Sequence, residues 1–291
     1  MRILFLSLFF LSSSLASEIV QSSSGIAEGY QKNYVINWDD IPYAQAPIGD
    51  LRWKAPRKID NPSQIITSKE NNFCVQRPSG MGGSEGEGFF SGSEDCLYLD
   101  IKAPIIHSKK ALPVMFWIHG GGNTSGLKDL YDYSKMVNKH NVIVVSINYR
   151  LGPFGWFTHP AIQELQSGID KSSNFGTLDI IEALKWVQLN ISLFGGDPSN
   201  VTIFGESAGG HNVLSLLASQ KAKDLFHKAI SQSGYTTSID TKSAYKQDIN
   251  TPTSNHSSFK IVDRILNQKK KIKAQDTFDK RELREILLGL S

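Results

Sequence analysis

The chain has 291 residues, 40% of them apolar, 20% charged and 10% aromatic, with a formal net charge of +3. There is ample apolar material for a core, and ordinary glycine and proline content excludes collagen-like, coiled-coil and disordered classes. So small a net charge gives no case for nucleic acid or an anionic membrane as partner.

Met1-Arg2 supplies a positive start, Ile3 to Leu11 (ILFLSLFFL) is a short apolar run, and Ser12 to Ala16 (SSSLA) offers small residues. This order is the pattern of a secretory signal peptide cut after Ala16. The run is shorter than the roughly 20 apolar residues a membrane-spanning helix needs, and no other stretch is suited to span. The expectation is a secreted or periplasmic chain whose mature part, residues 17–291, forms one domain.

Residues 17–60 are polar and turn-rich around short apolar runs such as Tyr34 to Trp38 and Ile41 to Tyr43. In an exported chain Cys74 and Cys96 are most simply a disulfide, with two reduced buried thiols as the alternative. Such a bridge would close a glycine-rich loop and remove about 3 kcal/mol of unfolded-state entropy. No further ligands close by suggest a metal site.

From Leu97 onward, five segments read as strands: 97–101, 114–118, 142–149, 201–204 and 229–231. The run from Val142 is nearly continuously apolar, as a strand covered on both faces would be. Ile180, Leu184, Val187, Ile191 and Phe194 recur at helical spacing, and Gly195-Gly196-Asp197-Pro198 ends that helix. A second helix carries Val213 to Leu217. Strand–helix alternation predicts an α/β fold, a mostly parallel sheet with helices on both faces. Residues 235–258 form a polar excursion, and 259–290 return to helical spacing. Lys269 to Lys273 reads as a solvated face.

The chemistry gathers at one turn. Val201 to Gly210 (VTIFGESAGG) is a strand running into G-x-S-x-G and then a helix, a context that separates it from a serine merely capping a helix. Glycines at two before and two after Ser207 let strand and helix cross sharply, lifting the hydroxyl clear of the sheet. Upstream, the strand ending at Ile118 runs into His119-Gly120-Gly121-Gly122, whose bare backbone N–H groups suit an oxyanion.

The chain resembles the type-B carboxylesterase (cholinesterase-like) family of α/β-hydrolases. The resemblance is carried in collinear order by IPYAQAPIGDLRWKAP (41–56), SEDCLYLDI (93–101), FWIHGGGNTSG (116–126), NYRLGPFG (148–155), the stretch 174–212 containing GESAGG, and LFHKAISQSG (225–234). It implies an α/β-hydrolase sheet, with Ser207 as nucleophile and the N–H groups of Gly121, Gly122 and Ala208 as the oxyanion hole. It also implies a Cys74–Cys96 disulfide, no cofactor or metal, and a small-molecule carboxylic ester as substrate. Glu206 matches a supporting acid, with a buried hydrogen-bonded carboxylate as the other reading. The tryptophan that holds choline in the first disulfide loop of cholinesterases is missing; Phe89 and Phe90 stand there instead, which points to a general carboxylic ester.

In this family the triad acid and histidine follow the serine by such distances that both fall beyond Ser291, so the sheet is expected to stop short of its last strands. Three histidines follow Ser207. His211 lies one turn into the next helix, His227 at the far end of the following strand, and His256 in the polar excursion; none reads as the base. His119 belongs to the oxyanion loop. Two functions stay open: an exported serine carboxylesterase completed by a downstream half of the same hydrolase, or a catalytically inactive, esterase-derived binding protein. Asn190, Asn200 and Asn255 head glycosylation sequons.

Overall fold

The computed structural model describes residues 18–68, 72–83, 90–105, 110–246, 257–268 and 277–289. The leader segment, Phe89, His256, Asn255 and the lysine run at 269–273 lie outside these residues. Eight strands form one sheet: β1 (Glu18–Ser22), β2 (Gly25–Lys32), β3 (Val35–Pro42), β4 (Tyr98–Pro104), β5 (Leu112–Ile118), β6 (Ile143–Ile147), β7 (Gly196–Glu206) and β8 (Lys228–Gln232). The helices are α1 (Ser134–His140), α2 (Gly152–Gly155), α3 (Pro160–Gln163), α4 (Phe175–Asn190), α5 (Ala208–Ala218), α6 (Thr241–Tyr245), α7 (Ser258–Gln268) and α8 (Lys280–Leu288).

The strand order is β1-β2-β3-β4-β6-β5-β7-β8. Parallel pairing joins β6, β5, β7 and β8, the strands separated by helices in the chain. Antiparallel pairing adds β1 to β4 on the other side. The three strands before residue 43 replace what the sequence reads as turn-rich chain. The signal of β3 is broken by Asp39-Asp40, where it shifts register between Trp38 and Ile41 and Asp40 takes φ +59°. A bulge of this kind interrupts the two-residue alternation on which strand reading depends.

Alternate residues of the central strands face opposite layers. Ile143, Val145, Val114, Phe116 and Ile203 join the main core with α4, whereas Val144 and Met115 pack with Val137 and Met136 of α1. Helix α4 buries residues on nearly every side and continues as a 3-10 turn to Phe194, where Gly195 with φ +82° ends it. Asn190 at its end is buried, donating to Trp186 O and Ser23 Oγ and accepting from Ser23 N–H, so its sequon has no room for a glycan. Cys74 and Cys96 form a disulfide with Cα atoms 4.9 Å apart. None of the helices among the described residues is long and apolar enough to cross a membrane.

At the C-terminus of the described chain, α8 buries Leu283 and Leu287. Arg52 caps it, donating from Nη1 to the carbonyls of Leu287 and Leu288 (3.1 Å each), while its other nitrogens hold Glu94. The opposite outcome holds at β8. All five of its residues are exposed, and it forms one edge of the sheet.

Candidate active site

The parallel strands end in register. Ile118 of β5 pairs with Ile147 of β6 and with Gly205 of β7, and Glu206 pairs with Gln232 of β8. Loops leaving these carboxyl ends therefore meet along one edge, the usual place for a ligand in an α/β sheet.

Ser207 stands between β7 and α5 with φ +55° and ψ −118°, a backbone state rare outside glycine. It is held there from both sides. Its N–H donates to Gln232 O and its carbonyl accepts from His211 N–H, each at 2.9 Å. The turn closes because α5 starts against the end of β5: a Cβ on Gly209 would lie 2.0 Å from Ile118 O. Strain stored at one residue and held by its neighbours is common where a side chain must be presented for chemistry. Ser207 Oγ makes no hydrogen bond among the described residues, and the first N–H groups of α5 point out of the helix beside it.

The loop His119 to Gly126 arches next to this turn. A Cβ on Gly120 would lie 3.4 Å from Ser207 Cβ and 3.1 Å from Glu206 Oε2, which sets the glycine loop, the serine and that carboxylate side by side. Gly121 (φ +90°) and Gly122 (φ +64°) adopt left-handed backbone states, and Gly121 O accepts the N–H groups of Thr124 and Ser125. The N–H groups of Gly121 and Gly122 have no acceptor among the described residues. Asn123 pins the crown of the loop. Its Oδ1 accepts from Asn212 Nδ2 of α5 at 2.9 Å and lies 3.3 Å from Tyr149 OH, and its carbonyl accepts from Gly152 N–H at 2.7 Å.

His119 is buried under this loop. Its ring stacks on Tyr149 at 4.3 Å, and Tyr149 OH donates to His119 O at 2.7 Å. Nδ1 lies 2.8 Å from Gly120 O, so the tautomer that donates there carries its proton on Nδ1. Burial pushes the imidazole down to about 4, against the raising effect of that carbonyl, and the ring is neutral near pH 7. Burial also pushes the Tyr149 phenol up, which keeps it a donor. Beyond the loop, the buried Lys128 ammonium sits 2.9 Å from Asp40 and from Asp100. Burial opposes its charge, but the two carboxylates raise it on balance. Burial likewise pushes Asp100 up to about 6 against the pull of Lys128.

The remaining histidines stand elsewhere. The His211 ring stacks on Tyr235 at 4.4 Å, with Nδ1 against Tyr235 O. His227 precedes β8, where its Nδ1 accepts from Val201 N–H. Val201 is five residues before the end of β7, about 17 Å along the strand. Phe90 is exposed, its ring under the Arg77 guanidinium. Among the described residues, none of the His, Cys, Asp and Glu side chains cluster in threes around a metal position. Sequence reading did not single out Asn123, Asn212, Tyr149 or Gln76 as parts of this arrangement.

A sheet with this topology, a strained serine at a strand-to-helix turn and a glycine loop beside it define an α/β-hydrolase. The model of the carboxylesterase family matches residues 16–280. The chain belongs to that family, of the type-B, cholinesterase-like kind. It is 42% identical over 232 residues to the para-nitrobenzyl esterase of Bacillus subtilis (strain 168), covering 79% of this chain and 46% of that protein. It is 41% identical over 219 residues to the fumonisin B1 esterase of Sphingopyxis macrogoltabida, covering 73% and 39%. Among solved structures, a thermophilic pNB esterase superposes with a TM-score of 0.73 at 36% identity, covering 94% of this chain and 51% of that one. The Geobacillus stearothermophilus carboxylesterase gives 0.70 at 32%, covering 93% and 53%. The chain spans about half the length of the relatives it matches.

Proposed function

We propose that the chain carries the nucleophile and oxyanion hole of an exported serine carboxylic ester hydrolase. Ser207 Oγ attacks the ester carbonyl carbon, and the carbonyl oxygen takes up the negative charge within reach of the N–H groups of Gly121, Gly122 and Ala208. The tetrahedral intermediate expels the alcohol, leaving Ser207 acylated, and water then releases the acid. The observation that carries this reading is the closeness of Gly120 to Ser207, where an added Cβ would lie 3.4 Å from the serine Cβ, which sets unpaired loop N–H groups beside a strained, unengaged serine. The α5 N-terminus adds a favourable field for the developing oxyanion. Glu206 supports the site from beside Gly120.

The proton acceptor is a histidine oriented by an acid on polypeptide that pairs with β8, a downstream half of the same hydrolase. Supporting this, β8 offers an exposed edge, the matched relatives are about twice as long, and His119, His211 and His227 are engaged elsewhere. The same engagement favours a second reading, an esterase-derived protein that binds esters or partners without turnover. The substrate is a general small carboxylic ester, consistent with a disulfide loop that lacks tryptophan. Export through residues 1–16 to a secreted or periplasmic site fits the Cys74–Cys96 disulfide, which persists in oxidising compartments.

Purified chain exposed to a p-nitrophenyl alkylphosphonate beside a Ser207→Ala control separates the readings, because phosphonylation draws on the nucleophile and oxyanion hole that this chain carries. The hydrolase reading predicts release of p-nitrophenol that is lost in Ser207→Ala. Equal, background release from both overturns it and supports the binding protein.

A further inference from the structure

We propose that Gln76 is a positioning residue for the oxyanion loop, and that the Cys74–Cys96 disulfide governs the order of that loop through the Gln76 side-chain amide. The chemical consequence rests on the hydrolase reading; the coupling itself does not.

Gln76 lies two residues past Cys74 and is only 2% exposed. Its main chain is paired twice with Ser91, N–H to Ser91 O at 3.0 Å and carbonyl to Ser91 N–H at 2.9 Å, inside the segment that the disulfide closes. Its side chain then crosses to the loop. Oε1 accepts from Gly126 N–H at 2.9 Å, and Nε2 donates both to Gly126 O and to Cys74 O at 3.0 Å. One primary amide thus gives Gly126 the two hydrogen bonds an adjacent strand would give, and ties them to the disulfide cysteine.

Gly126 is where this hold matters. A Cβ there would lie 2.1 Å from His119 Nδ1, so the Gly126 backbone is packed on the ring whose Nδ1 reaches Gly120 O. Fixing Gly126 fixes the imidazole, and with it the carbonyl preceding the Gly121–Gly122 turn. The other clamps on the loop, from Asn212 and Tyr149, come from α5 and from the chain just past β6. Among the described residues of the Cys74–Cys96 segment, Gln76 is the one whose side chain hydrogen-bonds the loop. Chemistry specifies the residue type. Glutamate of the same size lacks both donations while ionised, asparagine is a methylene short, and an apolar side chain would leave the Gly126 and Cys74 groups buried without partners.

The test is amide exchange of the full chain, read by mass spectrometry on peptides covering 119–127, for wild type, Gln76→Ala, the isosteric Gln76→Glu and a Cys74→Ser/Cys96→Ser double variant. Loss of two or three buried hydrogen bonds is expected to speed exchange in these peptides about tenfold, with β5 and β6 unchanged. The cysteine double variant should give the same acceleration, and should add nothing in a Gln76→Ala background. Unchanged exchange in both Gln76 variants, or additive acceleration, overturns the coupling. Labelling of Ser207 by a p-nitrophenyl alkylphosphonate reads the consequence: in Gln76→Glu the saturating rate should fall about tenfold, with half-saturation unchanged. An unchanged saturating rate overturns the positioning role. A wild-type chain that takes no label at Ser207 defeats the hydrolase reading, while the exchange data still decide the coupling.

Discussion

Gly209 and Gly152 are two glycines with opposite demands. A methyl on Gly209 would meet Ile118 O at 2.0 Å, whereas Gly152, at φ +50°, has nothing within 4 Å. Gly209→Ala should therefore cost more than about 3 kcal/mol or prevent folding, and Gly152→Ala only about 1 kcal/mol of left-handed backbone strain. Thermal unfolding of the two variants checks the contrast. His119 and Asp100 make a second prediction at this scale, with opposite signs. Between pH 6.5 and about 4 the unfolded chain protonates His119 while the folded ring stays neutral. Its contribution, on the order of 3 kcal/mol, is complete above pH 6.5 and is lost as pH falls toward 4. Asp100 titrates near 6 in the fold, so its contribution declines as pH rises from about 4 through 6. Measured by urea midpoints, Asp100→Asn should gain on wild type as pH rises from 4 to 6, and His119→Asn should lose ground to wild type over the same rise. Ser207 and the glycine loop are legible in the sequence because each is a contiguous pattern with its own strand in front. Gln76, Asn123 and Asn212 are not, because their meaning lies in pairings 50 and 89 residues apart.

Among the elements, β5, β6, β7 and α4 are visible from periodicity because each is long or continuously apolar and is buried on both faces. β1 and β2 escape it because each has a wet face and resembles turn-rich chain, and β3, buried along nearly its whole length, escapes because the register shift between Trp38 and Ile41 breaks its pattern. Helix α8 is predicted by its spacing, but its anchorage is not. That anchorage is Arg52, more than two hundred residues away in sequence, which joins Glu94 to the last carbonyls of the helix. Arg52→Ala strips the cap and leaves the Glu94 carboxylate without its partner, at a cost of about 3 kcal/mol. Trypsin should then cut at Lys280, Arg281 and Arg284 faster than in wild type, while β5 to β7 stay protected. Unchanged cleavage at those sites would show that α8 is held by Leu283 and Leu287 alone.

For the whole molecule, the sheet is asymmetric. One edge is the β1–β2 hairpin, and the other is β8, with all five residues exposed and Ile230 46% exposed. An open parallel edge beside the candidate nucleophile is an aggregation risk, and in the proposed hydrolase it is the edge that further polypeptide would cover. Ile230→Lys should leave the melting temperature within a few degrees and lower light scattering at high concentration. Equal scattering would mean the edge is not the sticking surface. The site itself joins three scales: a strained serine, loops from three parallel strands, and a disulfide segment from the antiparallel half. The central claim is that Ser207 is a nucleophile served by the glycine loop, and its most direct test is intact-mass analysis after exposure to a p-nitrophenyl alkylphosphonate. The expected result is one phosphonyl adduct per chain, mapped to Ser207 and missing from Ser207→Ala, because an oxyanion hole raises reactivity even with a triad member removed. No adduct on the wild type, or equal labelling of both proteins, would contradict it.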